Sequence, residues 1–545
     1  MIERSATQAF LYHIESIMAK LVLLNIKNFR GIKELQCDFS ESDMCCLIGH
    51  CDSGKSTILL AISYLFSTNW TIPISDDDFF NLDVSTPIQI RGIVEEPPKG
   101  LLTMDKFGLH CFYLDEENQA GMCLEIVLTI ESDLNPRWEI HNRNADEYHT
   151  ISNKERALFN IRMIDDYLDT QFNMSKYSLL KALVADIDGK DAIENNIGID
   201  LIRSLKKQLN IQEGVGSSIS EKINEKVALL GGEKHDYTLA VPTAELLLRG
   251  NQIGLHADSV PVRLMGKGSR RQLSLALQLA MSKAESSIIL IDEVEQGLEP
   301  YKAKTIVRSL KDSGRQVFIT THSDNVLCEL DATDLYLLRK GETSLHHLDA
   351  SYQDLLRANP DAFFFDKVVV CEGKTEYGFI LELDRFLCKD SGAAISSYSV
   401  SPIIGNGTNT PRYCSALKEL GADCLCFIDN DVEKTKKDIG DSAILCCCEQ
   451  DNAIEDQFFK DAPDSTLDEL MSDHNLLNDV SLAGSSQPSR ADLAKMAKEG
   501  KWFKNVGGGR KLGEYLFKHF NDLDKETCLF KQIQQISSWI KSEGV

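Results

Sequence analysis

Apolar residues in the first 130 positions alternate with short polar turns in the pattern of β-strands. Residues 21–29 and 32–39 form a predicted strand pair, and the apolar run at residues 44–48 predicts a buried strand. Residues 58–66 are apolar in the manner of a helix. Further strands are predicted between residues 87 and 130, most clearly at residues 123–131. The chain therefore begins as an α/β domain.

From about residue 155 to residue 250 the apolar positions take helical spacing, which predicts helices at residues 165–172, 176–187, 197–209 and 220–230. Strands return at residues 288–291 and 316–319. The helical stretch therefore reads as an insertion between two halves of one domain. It is either a dimerisation arm or an additional helical subdomain, and the sequence favours neither.

A second series of alternating strands and helices follows residue 362. Strands are predicted at residues 368–371, 398–404 and 424–428, and helices at residues 375–387 and 411–420. This alternation predicts a Rossmann-like parallel sheet. Residues 346–361 carry few strand signals and include Pro360, so we expect one domain over residues 1–361 and a second over residues 362–545.

The segment GHCDSGKST at residues 49–57 lies between the strand at residues 44–48 and the helix at residues 58–66. Its spacing of glycines, lysine and hydroxyl residues is that of a phosphate-binding loop, whose backbone N–H groups surround the β- and γ-phosphates of a nucleotide. Lys55 would add a point charge, and the Ser56 hydroxyl would bind Mg²⁺. The residues expected to hold ATP here are Gly49, Cys51, Gly54, Lys55, Ser56 and Thr57.

A second glycine-containing segment, residues 264–273, precedes an apolar helix predicted at residues 274–281 and would offer N–H groups to a phosphate. The next strand ends in Asp292 and Glu293, at the strand end where ligands of α/β sheets bind. Asp292 would hold Mg²⁺, and Glu293 would orient and deprotonate the attacking water. His322 follows the strand after that and is expected to contact the γ-phosphate.

Acidic residues also follow two strands of the second series: Glu372 follows the first, and Asp429 and Asp431 follow the third. Because the carboxyl ends of parallel strands meet at one edge, these residues are expected to share a site. Clustered carboxylates require a cation, and oxygen ligands suit Mg²⁺ or Mn²⁺ rather than zinc. Such a site serves displacement at phosphorus. Each half of the pattern, taken alone, is more often an ordinary loop.

The 545 residues are too many for one core, and 43% hydrophobic with 26% charged residues indicates a globular protein. No run of 18 apolar residues and no secretory signal is present, so we expect a cytoplasmic protein without a membrane partner. The 16 scattered cysteines are expected to be reduced, buried thiols.

The net charge of −25 argues against nonspecific coating of nucleic acid, but it allows a nuclease with a locally basic surface. Residues 490–518 contain eight basic residues and three acidic ones. This segment is either a DNA-facing stripe or an ordinary solvated helix.

The four segments of the first domain resemble the ABC-type ATPases of the SMC and recombination-repair branch. The resemblance makes residues 49–57 the Walker A loop, Asp292 and Glu293 the Walker B pair, and His322 the switch histidine. It makes residues 266–272 the signature, in which Gly266, Gly268 and Gln272 would meet the nucleotide of a second copy. It implies heads that work in pairs. Cys51 replaces the usual asparagine, residues 266–269 depart from the usual Ser-Gly-Gly core, and the glutamine loop is not identified.

The acidic motifs of the second domain resemble those of Toprim domains, and the order of the two domains is similar to that of OLD (overcoming lysogenisation defect) nucleases. Carried over to this chain, the family's pattern implies a catalytic set of Glu372, Glu376, Asp429, Asp431, Glu455 and Lys504. In this set Glu372, Asp429 and Asp431 bind the metal, Lys504 stabilises charge on the phosphate, and Lys501 is an alternative lysine.

The resemblance implies an ATP-regulated, Mg²⁺-dependent DNA endonuclease, with Mn²⁺ or Ca²⁺ as substitutes at the Toprim site. It further implies a homodimer or larger oligomer formed through the ATPase heads and a role in anti-phage defence. The partner stays open: none, a helicase, or a reverse transcriptase with its RNA–DNA product, as in a retron. The alternative is an SMC-like nucleotide switch that binds DNA or a partner without cutting. A primase or topoisomerase is disfavoured, because no polymerising or tyrosine-nucleophile module is evident.

Overall fold

The computed structural model describes residues 19–115, 120–164, 215–232, 237–240, 254–258, 260–280, 288–429, 433–473 and 489–542, with single positions 172, 178, 180, 183 and 235 between them. The helices predicted at residues 165–172, 176–187 and 197–209 lie almost entirely outside the described residues, and Asp431 lies outside them. Within the described part of the chain, no helix is long and apolar enough to cross a membrane. The chain divides into two compact units, the first of residues 1–48 and 52–348 and the second of residues 49–51 and 349–545.

The first unit contains an antiparallel sheet whose strands alternate buried and exposed positions over much of their length. Its strands are β1 (Lys20–Phe29), β2 (Ile32–Asp38), β4 (Ile88–Glu95), β5 (Phe112–Asp115), β6 (Ala120–Ile130), β7 (Pro136–Asn142) and β8 (Glu147–Thr150). They lie in the order β2-β1-β4-β6-β7-β8, with β5 also paired to β6.

A second sheet of the first unit is mainly parallel. Its strands are β3 (Met44–Ile48), β9 (Arg162–Ile164), β13 (Ile289–Ile291), β14 (Val317–Thr320), β15 (Leu335–Leu337) and the antiparallel edge strand β16 (His346–His347). They lie in the order β16-β15-β3-β14-β13-β9. All residues of β3, β13 and β14 are buried, as expected for parallel strands covered on both faces. A small sheet joins β10 (Tyr237–Ala240), β11 (Gly254–Ala257) and β12 (Val260–Pro261).

The helices of the first unit pack their apolar faces against these sheets and against one another. They are α1 (Lys55–Leu65), α2 (Asn153–Arg156), α3 (Val215–Leu229), α4 (Lys267–Ala280), α5 (Pro300–Lys311) and α6 (Asp324–Leu327). Helix α4 begins seven residues before the predicted start at residue 274. The glycine-containing segment is therefore the first turn of the helix rather than a loop before it.

The second unit is built on a four-stranded, all-parallel sheet in the order β18-β17-β19-β20. Its strands are β17 (Lys367–Cys371), β18 (Val400–Ile404), β19 (Asp423–Ile428) and β20 (Ile444–Cys447). Its helices are α7 (Gln353–Ala358), α8 (Lys374–Ser391), α9 (Thr410–Glu419), α10 (Glu433–Ile439), α11 (Ile454–Asp461), α12 (Asp464–Ser472), α13 (Arg490–Glu499), α14 (Val506–Lys518) and α15 (Cys528–Lys541). The predicted parallel α/β sheet is confirmed.

The segment before β17 packs with the second unit. Asn359, just after α7, donates to the Ile404 carbonyl at 3.0 Å and accepts from the Ile404 amide at 3.1 Å. Arg412 on α9 pairs with Asp354 on α7 at 2.8 Å. The domain boundary predicted near residue 361 therefore lies a short way inside the second unit.

The start of β17 is joined to the end of α15 through a buried lysine. Lys367 Nζ donates to the carbonyls of Trp539 at 2.6 Å and Ser542 at 2.9 Å, and it lies 4.6 Å from the centre of the Trp539 ring. Burial lowers the pKa of this lysine. The carbonyls at the end of a helix carry partial negative charge, so the lysine both satisfies them and fixes the C-terminal helix to the sheet.

Candidate functional site

Three strands of the parallel sheet in the first unit end side by side. Leu47 of β3 lies opposite Thr320 of β14, and Ile319 of β14 lies opposite Ile291 of β13. The segments that follow these strands carry the phosphate loop, the Asp292–Glu293 pair and His322. The fold therefore brings together the predicted nucleotide residues, because strand direction and register place them at one edge.

The phosphate loop turns sharply into α1. Gly54, the residue before α1, has φ of 110°, in the left-handed region that glycine adopts without a steric penalty. The amide of Ile58 is bonded to the Gly54 carbonyl at 3.0 Å, so α1 begins directly at the end of the loop. Lys55 is 4% exposed, whereas Cys51 is exposed. The loop can hold a triphosphate with its lysine directed into the protein.

Asp292 is the junction between the phosphate loop and the end of β14. One carboxylate oxygen, Oδ1, accepts hydrogen bonds from Ser56 Oγ at 3.0 Å and from Thr320 Oγ1 at 2.5 Å. The hydroxyl and the carboxylate that we predicted as Mg²⁺ ligands are thus adjacent, and both are the hard oxygen donors that Mg²⁺ prefers, so these residues fit the ion. Thr320 Oγ1 also accepts from the Glu293 amide at 2.7 Å.

Glu293 and His322 lie at the exposed side of this edge. Glu293 is exposed and has φ of 47°, a left-handed conformation that is unusual for a glutamate. Desolvation and the charge of Lys55 lower the pKa of His322, and three carboxylates, those of Glu295, Glu293 and Asp292, act in the opposite direction. A neutral imidazole beside the lysine can donate one hydrogen bond to a terminal phosphate.

The signature residues are placed at the first turns of α4. Gly266 is exposed, and Gly268 packs against the carbonyl of Gly297. Gln272 is 5% exposed and donates to the carbonyl of Leu230 at 3.4 Å, so its side chain faces α3 and is not directed to solvent. Of the three predicted residues, Gly266 is the exposed one.

Arg271 is a site residue that sequence reasoning missed. Its guanidinium donates to the carbonyls of Asp292 and Glu293 and to Gln296 Oε1, the last at 2.8 Å. The arginine is 3% exposed, and it therefore fixes the backbone of the Asp292–Glu293 pair to α4. Its signal in the sequence is weak, because Lys267 and Arg270 are further cations in the first turns of the same helix.

The acidic residues of the second unit meet at the ends of β17 and β19. The Asp429 amide donates to Glu372 Oε2 at 3.0 Å, and Asp429 Oδ1 accepts from the Ile454 amide at the start of α11 at 2.7 Å. Glu376 Oε2 accepts from the Gly373 amide at 2.9 Å. We call Glu372, Glu376, Asp429 and Glu455 the acidic cluster.

The buried members of the acidic cluster repel one another. Burial raises the pKa of Glu376, and the charges of Glu455 and Glu372 raise it further. Burial likewise raises the pKa of Asp429, with Glu376 as the next cause. Glu455 is 4% exposed and contributes to both shifts, whereas its neighbour Asp456 caps α11 by accepting from the Ala453 amide.

A divalent cation would relieve this repulsion, and the oxygen-only donor set fits Mg²⁺ or Mn²⁺. Among the residues that the structure describes, no group of three or more His, Cys, Asp or Glu has the spacing of a complete metal site. The predicted third ligand, Asp431, lies outside the described residues. The observation that supports a metal is the raised pKa of two buried carboxyls that face further carboxylates.

Lys504 follows a residue that is bonded to the first turn of α8, where Glu376 lies. Thr375 Oγ1, beside Glu376, donates to the carbonyl of Phe503 at 2.8 Å. A Cβ at Gly509 would lie 2.1 Å from the Thr375 carbonyl oxygen, so the two helices approach through glycine. Lys504 itself is exposed.

The basic segment at residues 490–518 is largely neutralised by neighbouring acids. Lys498 pairs with Asp456, and Lys518 pairs with Glu469 at 2.7 Å. Four more of the basic residues also lie within 4.0 Å of a carboxylate: Arg490, Lys495, Arg510 and Lys511. Within the described ranges, Lys501 and Lys504 have no such partner. Because of these ion pairs, the fold does not present a continuous DNA-facing stripe. Most of the neutralising acids are distant in sequence from the segment, so the sequence did not reveal them.

Comparison with protein families agrees with this arrangement. The model of an AAA ATPase domain matches residues 20–181, and that of an AAA domain described as AbiEii toxin of a type IV toxin–antitoxin system matches residues 136–329. The model of the overcoming lysogenization defect protein-like Toprim domain matches residues 363–431, which span the strands that carry Glu372 and Asp429. Old nuclease of Escherichia phage P2 is 23% identical over 425 residues, covering 67% of this chain and 69% of that protein. The chain therefore combines an AAA-type ATPase domain with an OLD-like Toprim domain.

Solved structures similar to this chain include Smc head domains. The head from Pyrococcus furiosus, solved with the C-terminal domain of ScpA, is 16% identical, covers 61% of this chain and 97% of its own, and has a TM-score of 0.41. The head from Thermotoga maritima is 16% identical, covers 61% of this chain and 99% of its own, and has a TM-score of 0.32. The predictions of an ATPase head followed by a Toprim domain, and of the OLD family, are confirmed by the family models and the sheets.

Proposed function

We propose that this protein is an ATP-regulated, divalent-metal-dependent endonuclease that cuts DNA. The single observation that carries the nuclease assignment is the meeting of Glu372, Glu376, Asp429 and Glu455 at one edge of a parallel sheet. The match to the OLD-like Toprim model and the similarity to Old nuclease support the same reaction class.

In the second unit, Glu372 and Asp429 would hold Mg²⁺ together with Asp431, with Mn²⁺ or Ca²⁺ as substitutes. When bound, the ion would stabilise charge on the phosphate oxygens. The Ile454 amide and the Asp429 amide fix the carboxylates in place before the ion arrives. Glu376 and Glu455 are buried beside them and add the negative charge that selects a divalent cation.

Lys504 would neutralise the phosphate during cleavage. It is exposed and follows Phe503, whose carbonyl is bonded to Thr375 at 2.8 Å. Lys501 is the other lysine of this segment without an acidic partner among the described residues, and it would contact the DNA backbone.

In the first unit, Lys55 and the amides at the start of α1 would bind the phosphates of ATP, and Ser56 with Asp292 would hold Mg²⁺. Glu293 would orient the attacking water, and the neutral ring of His322 would contact the γ-phosphate. Two heads would close on ATP with Gly266 and Gly268 of one copy facing the nucleotide of the other, and Gln272 would support α4 from behind.

The role we propose for this activity is anti-phage defence in the bacterial cytoplasm. The enzyme would act in a homodimer or larger oligomer, alone, with a helicase, or with a reverse transcriptase and its RNA–DNA product. ATP would act as a gate, so cleavage should depend on ATP concentration.

The test is cleavage of plasmid and linear DNA in Mg²⁺ and in Mn²⁺, with and without ATP, by the wild type and by Asp429→Ala. Asp468→Ala is the matched control, because Asp468 is an exposed carboxylate on α12 of the same unit. Cutting by the wild type and the control but not by Asp429→Ala is the expected result. If the wild type binds DNA and cuts under no condition, the protein is a nucleotide switch and the nuclease proposal is wrong. A flat response across ATP concentrations would refute the gate.

A further inference from the structure

The carboxylate of Glu295 connects the Asp292–Glu293 segment to the segment that carries His322. Glu295 Oε2 accepts from Thr321 Oγ1 at 2.7 Å, and Glu295 Oε1 accepts from the His322 amide at 2.8 Å. Thr321 is fully buried, and its Oγ1 accepts in turn from the Ser323 amide at 3.0 Å. Both oxygens of the Glu295 carboxylate therefore accept hydrogen bonds from consecutive residues of the segment that carries His322.

Two successive threonines at the end of β14, Thr320 and Thr321, bind different acidic residues of the segment that follows β13. Thr320 binds Asp292 and the Glu293 amide, whereas Thr321 binds Glu295. The Val294 amide also donates to the Thr320 carbonyl at 3.1 Å. Charge-assisted bonds such as those to Glu295 are stronger than neutral ones, so the Glu295 contacts hold the backbone at His322 firmly.

We propose that Glu295 is a positioning residue for ATP hydrolysis, which acts by holding the His322 segment in register with the Asp292–Glu293 pair. We call Glu295, Thr321 and the His322 amide the Glu295 latch. The inference rests on the proposed ATPase function of the first unit. Glu295 itself bonds to protein groups, so its effect reaches the nucleotide through His322.

The latch predicts an effect on turnover and not on ATP affinity. Glu295→Gln keeps the size of the side chain but presents an NH₂ group to one of two donors, and Thr321→Val removes the hydroxyl donor. Each variant should lower kcat for ATP hydrolysis about tenfold and leave the Kd for ATP within about twofold. Because both variants break the same connection, the kcat of the double variant should be only slightly lower than that of either single variant.

The decisive comparison uses His322→Ala as a background. If the latch acts through His322, adding Glu295→Gln to His322→Ala should change kcat by less than about twofold. A further tenfold loss in that background would overturn the proposal. So would a raised Kd for ATP with unchanged kcat. Glu299→Gln is the matched control, because Glu299 is an exposed glutamate of the same segment that pairs with Lys302 at 3.4 Å.

A second measurement does not depend on catalysis. Amide hydrogen exchange at His322 in the full chain should be slow in the wild type and in Glu299→Gln, and at least about tenfold faster in Glu295→Ala. Unchanged exchange in Glu295→Ala would overturn the latch. A wild type that binds ATP and releases no phosphate would instead contradict the proposed ATPase function, and exchange would still decide the latch.

Discussion

Divalent metal binding to the acidic cluster should release protons at neutral pH. The raised pKa values are about 8 for Asp429 and about 7 for Glu376. At pH 7 the two carboxyls then carry together roughly one proton or more, and at pH 9 nearly none. A cation requires ionised ligands, so binding of Mn²⁺ should displace these protons.

The same competition sets the pH dependence of affinity. At pH 7 protonation should weaken Mn²⁺ binding by about tenfold or more relative to its limit at high pH. Isothermal titration calorimetry of the full chain in buffers with different ionisation enthalpies measures both the affinity and the number of protons released. We expect a release of roughly one proton or more at pH 7 and nearly none at pH 9.

Variants identify the source of the protons. Glu376→Gln should clearly lower the release at pH 7, because it removes the Glu376 proton and also one cause of the raised pKa of Asp429. Asp468→Asn, which changes an exposed carboxylate on α12, should leave the release unchanged and serves as the control. A release that is absent at pH 7, or equal at pH 7 and pH 9, would refute the view that buried carboxyls are held protonated until a cation replaces the protons.

Three further predictions concern stability and cleavage. Gly509→Ala should destabilise the protein by about 3 kcal/mol in urea denaturation, because the added Cβ would lie 2.1 Å from the Thr375 carbonyl oxygen. In the control Gly507→Ala the added Cβ would lie 3.3 Å from the nearest side-chain atom, so the loss of stability should be less than about 1 kcal/mol. The two raised carboxyl pKa values mean that, without metal, the folded state binds more protons than the unfolded state. The Tm should therefore fall as pH rises from about 4 to about 8 and should recover when Mg²⁺ is added. A Tm that rises across that pH range without metal would contradict this prediction. Lys504→Ala should lower the rate of DNA cleavage about 100-fold with unchanged release of protons on Mn²⁺ binding, and Lys511→Ala, whose lysine lies 4.0 Å from a carboxylate, should cleave at nearly the normal rate.

The sequence predicted the two sheet edges well, because both depend on local signals. Apolar runs such as residues 44–48 in β3 and residues 424–428 in β19, each followed by glycine or acidic residues, are recognisable one at a time. The rule that parallel strands end at one edge then placed Glu372 beside Asp429. The antiparallel sheet of the first unit was recognised only as scattered strands, because pairs such as β4 with β6 are set by register between distant residues.

Contacts between distant segments account for what the sequence did not predict. The basic residues after position 490 seemed available to DNA, but Lys498 pairs with Asp456 and Lys518 with Glu469 on other helices. Glu295 was missed for a similar reason: its role depends on Thr321, which arrives from another strand.

The bonds from Lys367 to the carbonyls of Trp539 and Ser542 have a consequence for the order of synthesis. The strand that carries Glu372 is made early in the second unit, but its lysine finds these acceptors only after residue 542 has left the ribosome. The Phe503 carbonyl that binds Thr375 also comes late. A nascent chain thus exposes its acidic residues long before the cutting centre is assembled, and a prematurely terminated product should spare the DNA of the cell that makes it.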